Sequence, residues 1–197
     1  MRKVERSEIK DLVAYEKARE AMRAHVIEVK RHRRVAVGPN LTLLFENRET
    51  VLFQIQEMVR TERIVEESKL QDEVDTYNAL IPDEGELSAT LFIEIPDISR
   101  MNHDQQIAAV NRFQGLDRDA IFLVVGGRRI PAVFEEGRTK EEKMSAVHFL
   151  RFPVPAEAKA ALADTKTPVK LLASHPRYAA EAVVGEAFRA ELVRDLA

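Results

Sequence analysis

Apolar and polar positions change their spacing several times along the chain, and each change marks an element. From Ser7, placed as a helix cap, to about Arg33 the sequence is rich in Ala, Glu, Lys and Arg. Ile9, Leu12, Val13, Met22, Val26 and Val29 are spaced compatibly with one long helix or two shorter ones. Segments 35–37 and 41–45 then flank Gly38, Pro39 and Asn40, whose turn geometry predicts a short hairpin. Asn47 is positioned to accept from the free amides of a following helical turn, and Val51, Ile55, Met58 and Val59 recur at helical spacing. A further helix places Leu70, Val74, Tyr77 and Ile81 on one stripe, and Pro82 stops it.

From Ala89 the period falls to two. Ala89, Leu91, Ile93 and Ile95 share one face and Thr90, Phe92 and Glu94 the other, the pattern of a half-buried strand. A short helix over 102–114 uses Ile107, Val110 and Phe113. Segments 121–125 and 130–134 flank Gly126 and Gly127, which tolerate the positive φ of a tight primed turn, so a second hairpin is predicted. A strand over 145–152, a short helix over 155–163, strands over 168–172 and 178–184, and a closing helix over 186–196 complete the chain; Phe188, Leu192 and Leu196 lie on one side of the last. The fold class is α+β: N-terminal helices with a short hairpin, then a largely antiparallel or mixed sheet with short flanking helices. Residues 1–86 form the mainly helical region and 87–197 the strand-rich region, within one compact unit. The sequence contains no internal repeat and no low-complexity segment.

A chain of 197 residues buries about 70% of its unfolded surface, enough for a full core. Basic and acidic residues nearly balance, 30 against 33, so any nucleic-acid footprint has to be local. The absence of cysteine excludes disulfides, thiolate zinc sites, the usual iron–sulfur ligation and cysteine nucleophiles. The basic N-terminus is not followed by an apolar segment, and no apolar run approaches the ~20 residues of a membrane helix; the expected compartment is the cytoplasm, with no membrane partner.

The sequence contains no phosphate-binding loop, dinucleotide glycine fingerprint, HExxH zinc motif or nucleophile elbow, and no Glu-x-x-His pair of the di-iron type. The densest chemistry is the run Lys30, Arg31, His32, Arg33 and Arg34. Arginine forks and clustered cations suit phosphates or an acidic partner, whereas cations at a helix C-terminus are also favoured by the macrodipole, by ~0.3–1 kcal/mol each. No helix-turn-helix, zinc finger or aromatic platform accompanies the run, which argues against specific nucleic-acid recognition. Projected on a wheel, Glu62 falls in the apolar stripe of the helix after Asn47, beside Val51, Ile55 and Met58. A carboxylate buried there needs a partner, and an inward-pointing arginine of the basic run is the expected one. Glu46, Glu57, Glu62 and Glu73 form the candidate polar cluster, an alternative metal or acid–base site. His148 shares a strand face with Ala146, Leu150 and Phe152 and reads as a core histidine; His175 is expected in a turn. Ser145 and His148 lie three apart in a strand and so do not form a nucleophile–base pair.

Three stretches, RRVAVGPNLTLLFENRETVLFQIQEM, TYNALIPDEGELSATLFIEIPD and VHFLRFPV, resemble an uncharacterised bacterial family, a domain of unknown function frequently encoded beside rubrerythrin-like proteins and an iron–sulfur oxidoreductase. The resemblance covers nearly the whole chain. It implies no catalytic residue and no cofactor, but a link to peroxide or oxygen stress and a redox or stress-response partner. The leading expectation is an accessory or binding protein whose contact surface includes Arg31, Arg33, Arg34 and Arg48. A carboxylate-based metalloprotein or enzyme using Glu57 and Glu62 is the alternative. Nucleic-acid binding through the cationic run is the weaker one.

Overall fold

The computed structural model describes residues 1–135 and 145–197. A 3-10 turn at Arg6–Glu8 precedes helix α1 (Leu12–Arg31), strands β1 (Arg34–Val37) and β2 (Leu41–Glu46), helices α2 (Arg48–Glu62) and α3 (Glu67–Asn78), and strand β3 (Glu86–Ile93). After a 3-10 turn at Ile98–Arg100 come α4 (His103–Asn111), β4 (Ile121–Val125), β5 (Arg128–Pro131), β6 (Val133–Phe134), β7 (Val147–Pro153), α5 (Ala156–Ala163), β8 (Val169–His175), β9 (Tyr178–Val183) and α6 (Glu186–Asp195). The class is α+β. Among the described residues no helix is long and apolar enough to cross a membrane.

Local chemistry accounts for most boundaries. The Asn47 side chain accepts from Thr50 N at 3.0 Å while the Thr50 hydroxyl accepts from Asn47 N at 3.0 Å, a reciprocal cap that starts α2. Asp11, not Ser7, caps α1, accepting from Ala14 N at 2.8 Å; Ser7 is taken up in the preceding 3-10 turn. Gly126 and Gly127, at φ 57° and 87°, make the two-residue primed turn between paired Val125 and Arg128.

The strands form two antiparallel sheets rather than one, in the orders β1-β2-β3-β7-β6 and β5-β4-β8-β9. The chain changes sheet at Ala132: β5 pairs with β4, and β6 then pairs with β7. The first hairpin joins β3 and β7 in one sheet, so the helical and strand-rich regions share their hydrogen bonding. Leu43, Phe45, Leu91 and Phe152 of the first sheet pack with Leu123, Leu171 and Ala173 of the second, and Leu162, Phe188 and Leu192 from α5 and α6 join the same core. Phe45 stacks on Phe152 at 5.7 Å and meets Phe188 edge-on at 5.3 Å. A second apolar cluster, built on Val51, Ile55, Val59, Leu70 and Val74 with Phe149 against it, covers the other face of the first sheet. This helical layer buries Ser88 and Thr90, so β3 is covered on both faces rather than half-buried.

Tyr178 of β9 joins the two sheets along one seam. Its hydroxyl donates to Val37 O at 2.5 Å and accepts from Asn40 N at 3.2 Å. The close approach depends on Gly38, at φ +71°: a Cβ there would overlap the Tyr178 hydroxyl and lie 2.8 Å from Ala180 Cβ. Gly38→Ala should therefore lower the free energy of unfolding by about 1–3 kcal/mol in urea titrations. Gly127→Ala, also at positive φ but with nothing within 4 Å, should cost less.

Candidate functional site

The cationic run lies where α1 turns into β1, and the structure divides it among separate tasks. Lys30 Nζ sits 5.8 Å from the centre of the Phe53 ring, and the Arg34 guanidinium 5.5 Å from that of Phe92. Arg31 pairs with Glu28 at 2.8 Å on the surface, and His32 is exposed. Arg48, distant from the run in role, pairs with Glu8, which also accepts from Arg2 at 2.9 Å. The Glu5 amide and then the Arg48 guanidinium hold the Glu8 carboxyl down at about 2.

Arg33 alone points inward, and it is completely buried. Its Nε donates to Phe45 O at 3.1 Å, one terminal nitrogen donates to Glu191 Oε2 at 2.8 Å, and the other to Asp195 Oδ2. An inward-pointing arginine is thus present, but its acids come from α6 and not from Glu62. Glu191 and Asp195 stand four residues apart on the helix, one turn, so both reach the same guanidinium. Two carboxylates face one cation here. Burial pushes the Asp195 carboxyl up to about 6, against the opposing pull of Arg33.

The glutamates do not converge. Glu62 is exposed: the buried positions of α2 end at Val59, and the helix stops at Arg63 in the left-handed region at φ 53°. Ile64, two residues on, is half-buried against the helical cluster, but the apolar layer does not enclose Glu62. Glu57 binds Arg19 through both oxygens, at 2.7 and 2.8 Å, and accepts from the Tyr15 hydroxyl at 2.7 Å. Its carboxyl is held at about 2, chiefly by Arg19, while burial raises the Tyr15 phenol. Glu73 is raised by partial burial and by the nearby Glu62. Glu46 is buried elsewhere, accepting from the Thr50 and Thr90 hydroxyls at 2.5 and 2.6 Å. Among the described residues no three His, Asp or Glu side chains are placed to hold a metal ion. The candidate polar cluster is three separate environments.

The histidines are structural in their contacts. His148 is buried, 2.8 Å from the backbone oxygen of Ser145 and edge-on to Phe134. The Ser145 hydroxyl donates instead to Val147 O at 2.8 Å. His175 ends β8 rather than sitting in a turn, buried and 2.9 Å from Gln114 O.

Helix α1 presents a feature that the apolar pattern conceals. Leu12, Tyr15, Arg19, Met22, Val26 and Val29 recur at alternating steps of three and four, and all are buried or half-buried on the side that packs against α2. Val13, grouped with these by hydropathy, lies on the opposite stripe with Lys17, Glu20, Ala24, Ile27 and Arg31, all exposed. Val13 is 68% and Ile27 50% exposed. Reading the two stripes separately at the three-and-four spacing is the signal that distinguishes them.

The family described as "Protein of unknown function (DUF3501)" matches residues 3–196. The crystal structure of a novel protein of unknown function from Burkholderia pseudomallei K96243 is 36% identical, with 100% of each chain covered and a TM-score of 0.88. No curated protein matches the chain.

Arg33→Met should destabilise the protein by about 3–5 kcal/mol in chemical denaturation, because it leaves buried acids without their cation. Asp195 gives a pH signature. With its folded-state carboxyl raised to about 6, the native protein keeps a proton that the unfolded chain releases near pH 4, so native stability falls as pH rises across that window. The stability of the wild type minus that of Asp195→Asn should drop by on the order of 2–3 kcal/mol from about pH 4 to about pH 6 and be flat above about pH 7. A flat difference across the acid window would refute the assignment.

Proposed function

We propose that this chain, which belongs to that family of unknown function, is an accessory protein that acts in the cytoplasm by binding another protein, with the outer face of α1 and the cations at its C-terminal end as the contact surface. The observation that carries the reading is the solvent-facing stripe of α1, where Val13 and Ile27 are exposed among Lys17, Glu20, Ala24 and Arg31. Val13 near one end of the helix and Ala24 with Ile27 near the other put apolar surface on an otherwise charged face, which a second helix can cover. Arg31 and Arg34 extend the face with positive charge, which favours a partner helix carrying acidic residues at that end. Arg33 takes no part in this surface, since its guanidinium is occupied inside the protein. A redox or stress-response protein is the partner class that the sequence resemblance supports.

The test is a quantitative pull-down with the wild-type chain and a Val13→Glu, Ile27→Glu, Arg31→Glu variant. All three positions are exposed, so the thermal melt should be unchanged within a few degrees. A protein retained by the wild type should bind the variant at least about tenfold more weakly when both are purified and titrated, a change of about 1.4 kcal/mol. Equal affinity of the two chains for every retained protein would overturn the reading.

A further inference from the structure

A second site lies away from the charges of α1. The connection between α5 and β8 and the junction between β9 and α6 border an open cavity of about 600 Å³. The buried side chains of Leu162, Val169 and Val184 line it, together with Val193 and with Val183, which is 79% exposed. This volume lies in the range of about 300–1,000 Å³ that small-molecule sites occupy, and its lining is amphipathic, the apolar side chains standing beside Thr165, Lys166, Thr167, Glu186 and Arg189.

Arg189 holds the walls in place. Its Nε donates to Leu162 O at 2.6 Å and its terminal nitrogens to Thr167 O at 2.7 Å, Ala161 O at 3.0 Å, Thr165 O at 3.5 Å and Asp164 O. The guanidinium therefore closes off the carbonyl end of α5, ties the loop after it to α6, and has no N–H left for a ligand. Asp164 is similarly occupied, accepting from the Thr167 hydroxyl at 3.0 Å and from the Lys166 amide at 3.1 Å. Two lining charges remain uncommitted among the described residues: the Lys166 ammonium and the Glu186 carboxylate, both on exposed residues. Apolar side chains held by an internal arginine, with an exposed ammonium on the same lining, suit an amphipathic anion.

We propose that this cavity binds a small monocarboxylic acid with an aliphatic body, the tail against Leu162, Val169, Val184 and Val193 and the carboxylate on Lys166 Nζ. The apolar walls provide burial and the lysine orients the head, while the other lining cation, Arg189, is spent on backbone carbonyls, so the second carboxylate of a diacid would meet apolar walls without a counter-ion. The site is independent of the α1 surface and stands or falls by itself.

Isothermal titration calorimetry of the full chain with octanoate, octanol and suberate tests it, with amide shift mapping of residues 162–193. Octanoate should bind saturably with shifts centred on Lys166 and Val169, and octanol and suberate at least about tenfold more weakly. Lys166→Glu should weaken octanoate at least about tenfold and Lys166→Arg should restore most of the affinity. Lys159→Glu, on exposed α5 and outside the cavity, should change nothing. Val193→Trp, which fills the space, should abolish octanoate binding; the exposed Lys166 variants keep the test decisive if that chain does not fold. Non-saturable octanoate binding, equal affinity for octanol, or an unchanged affinity in Lys166→Glu would each overturn the proposal.

Discussion

A guanidinium with no access to water must find its negative charge inside the protein, and Arg33 finds it 158 and 162 residues away, on Glu191 and Asp195. Burying one cation and two carboxylates costs several kcal/mol in lost hydration, which only their mutual attraction and the added bond to Phe45 O offset. The arrangement therefore exists only when α6 is docked. Docking α6 also brings Phe188 against Phe45 and Leu192 into the space between the sheets. The last helix of the chain closes the core, and Arg33, in the turn after the first helix, holds it there.

That closure determines what is left for other chemistry. Arg33 is removed from the surface, so the cationic run offers a partner Lys30, Arg31, His32 and Arg34, each already resting on an acid, on solvent or on an aromatic ring. Glu57 is similarly neutralised between Arg19 and Tyr15, which fastens α1 to α2 along one side. The opposite stripe of α1 faces solvent with Val13 and Ile27 exposed. At the other end of the chain, Arg189 repeats the logic of Arg33 with carbonyls in place of carboxylates. Its five donors hold the loop after α5 against α6 and leave an apolar cavity between them. Two buried arginines thus tie α6 to its neighbours, one towards each end.

Legibility in the sequence followed the range of the interactions. Asn47 and the Gly126–Gly127 turn could be read directly, because cap and turn are decided within four residues. Phe188, Leu192 and Leu196 could be assigned to one buried side because helical periodicity is local too. Glu62 shows the limit: a wheel places a position on the apolar stripe but does not say whether a neighbour encloses it, and Glu62, past the last buried position Val59, is exposed. Val13 fails in the same way, since hydropathy cannot say which of two opposite stripes meets a neighbour. The division of the strands into two sheets depends on the turn at Ala132, a single residue between segments that look continuous.

By itself, then, the sequence determined the α+β class and most of the order of elements, consequences of local spacing, whereas its expectation of an inward arginine rested on a buried Glu62 that the structure leaves exposed. It also determined the absence of thiol chemistry, which depends on composition alone. Only the tertiary structure decided that Arg33 is that arginine, that Glu191 and Asp195 answer it, and that Glu46, Glu57 and Glu62 lie in separate surroundings. It likewise decided that Arg189 frames a cavity with Lys166 at its mouth. Those outcomes depend on which distant segments meet, and the meeting is set by the simultaneous burial of many side chains rather than by any short stretch of residues.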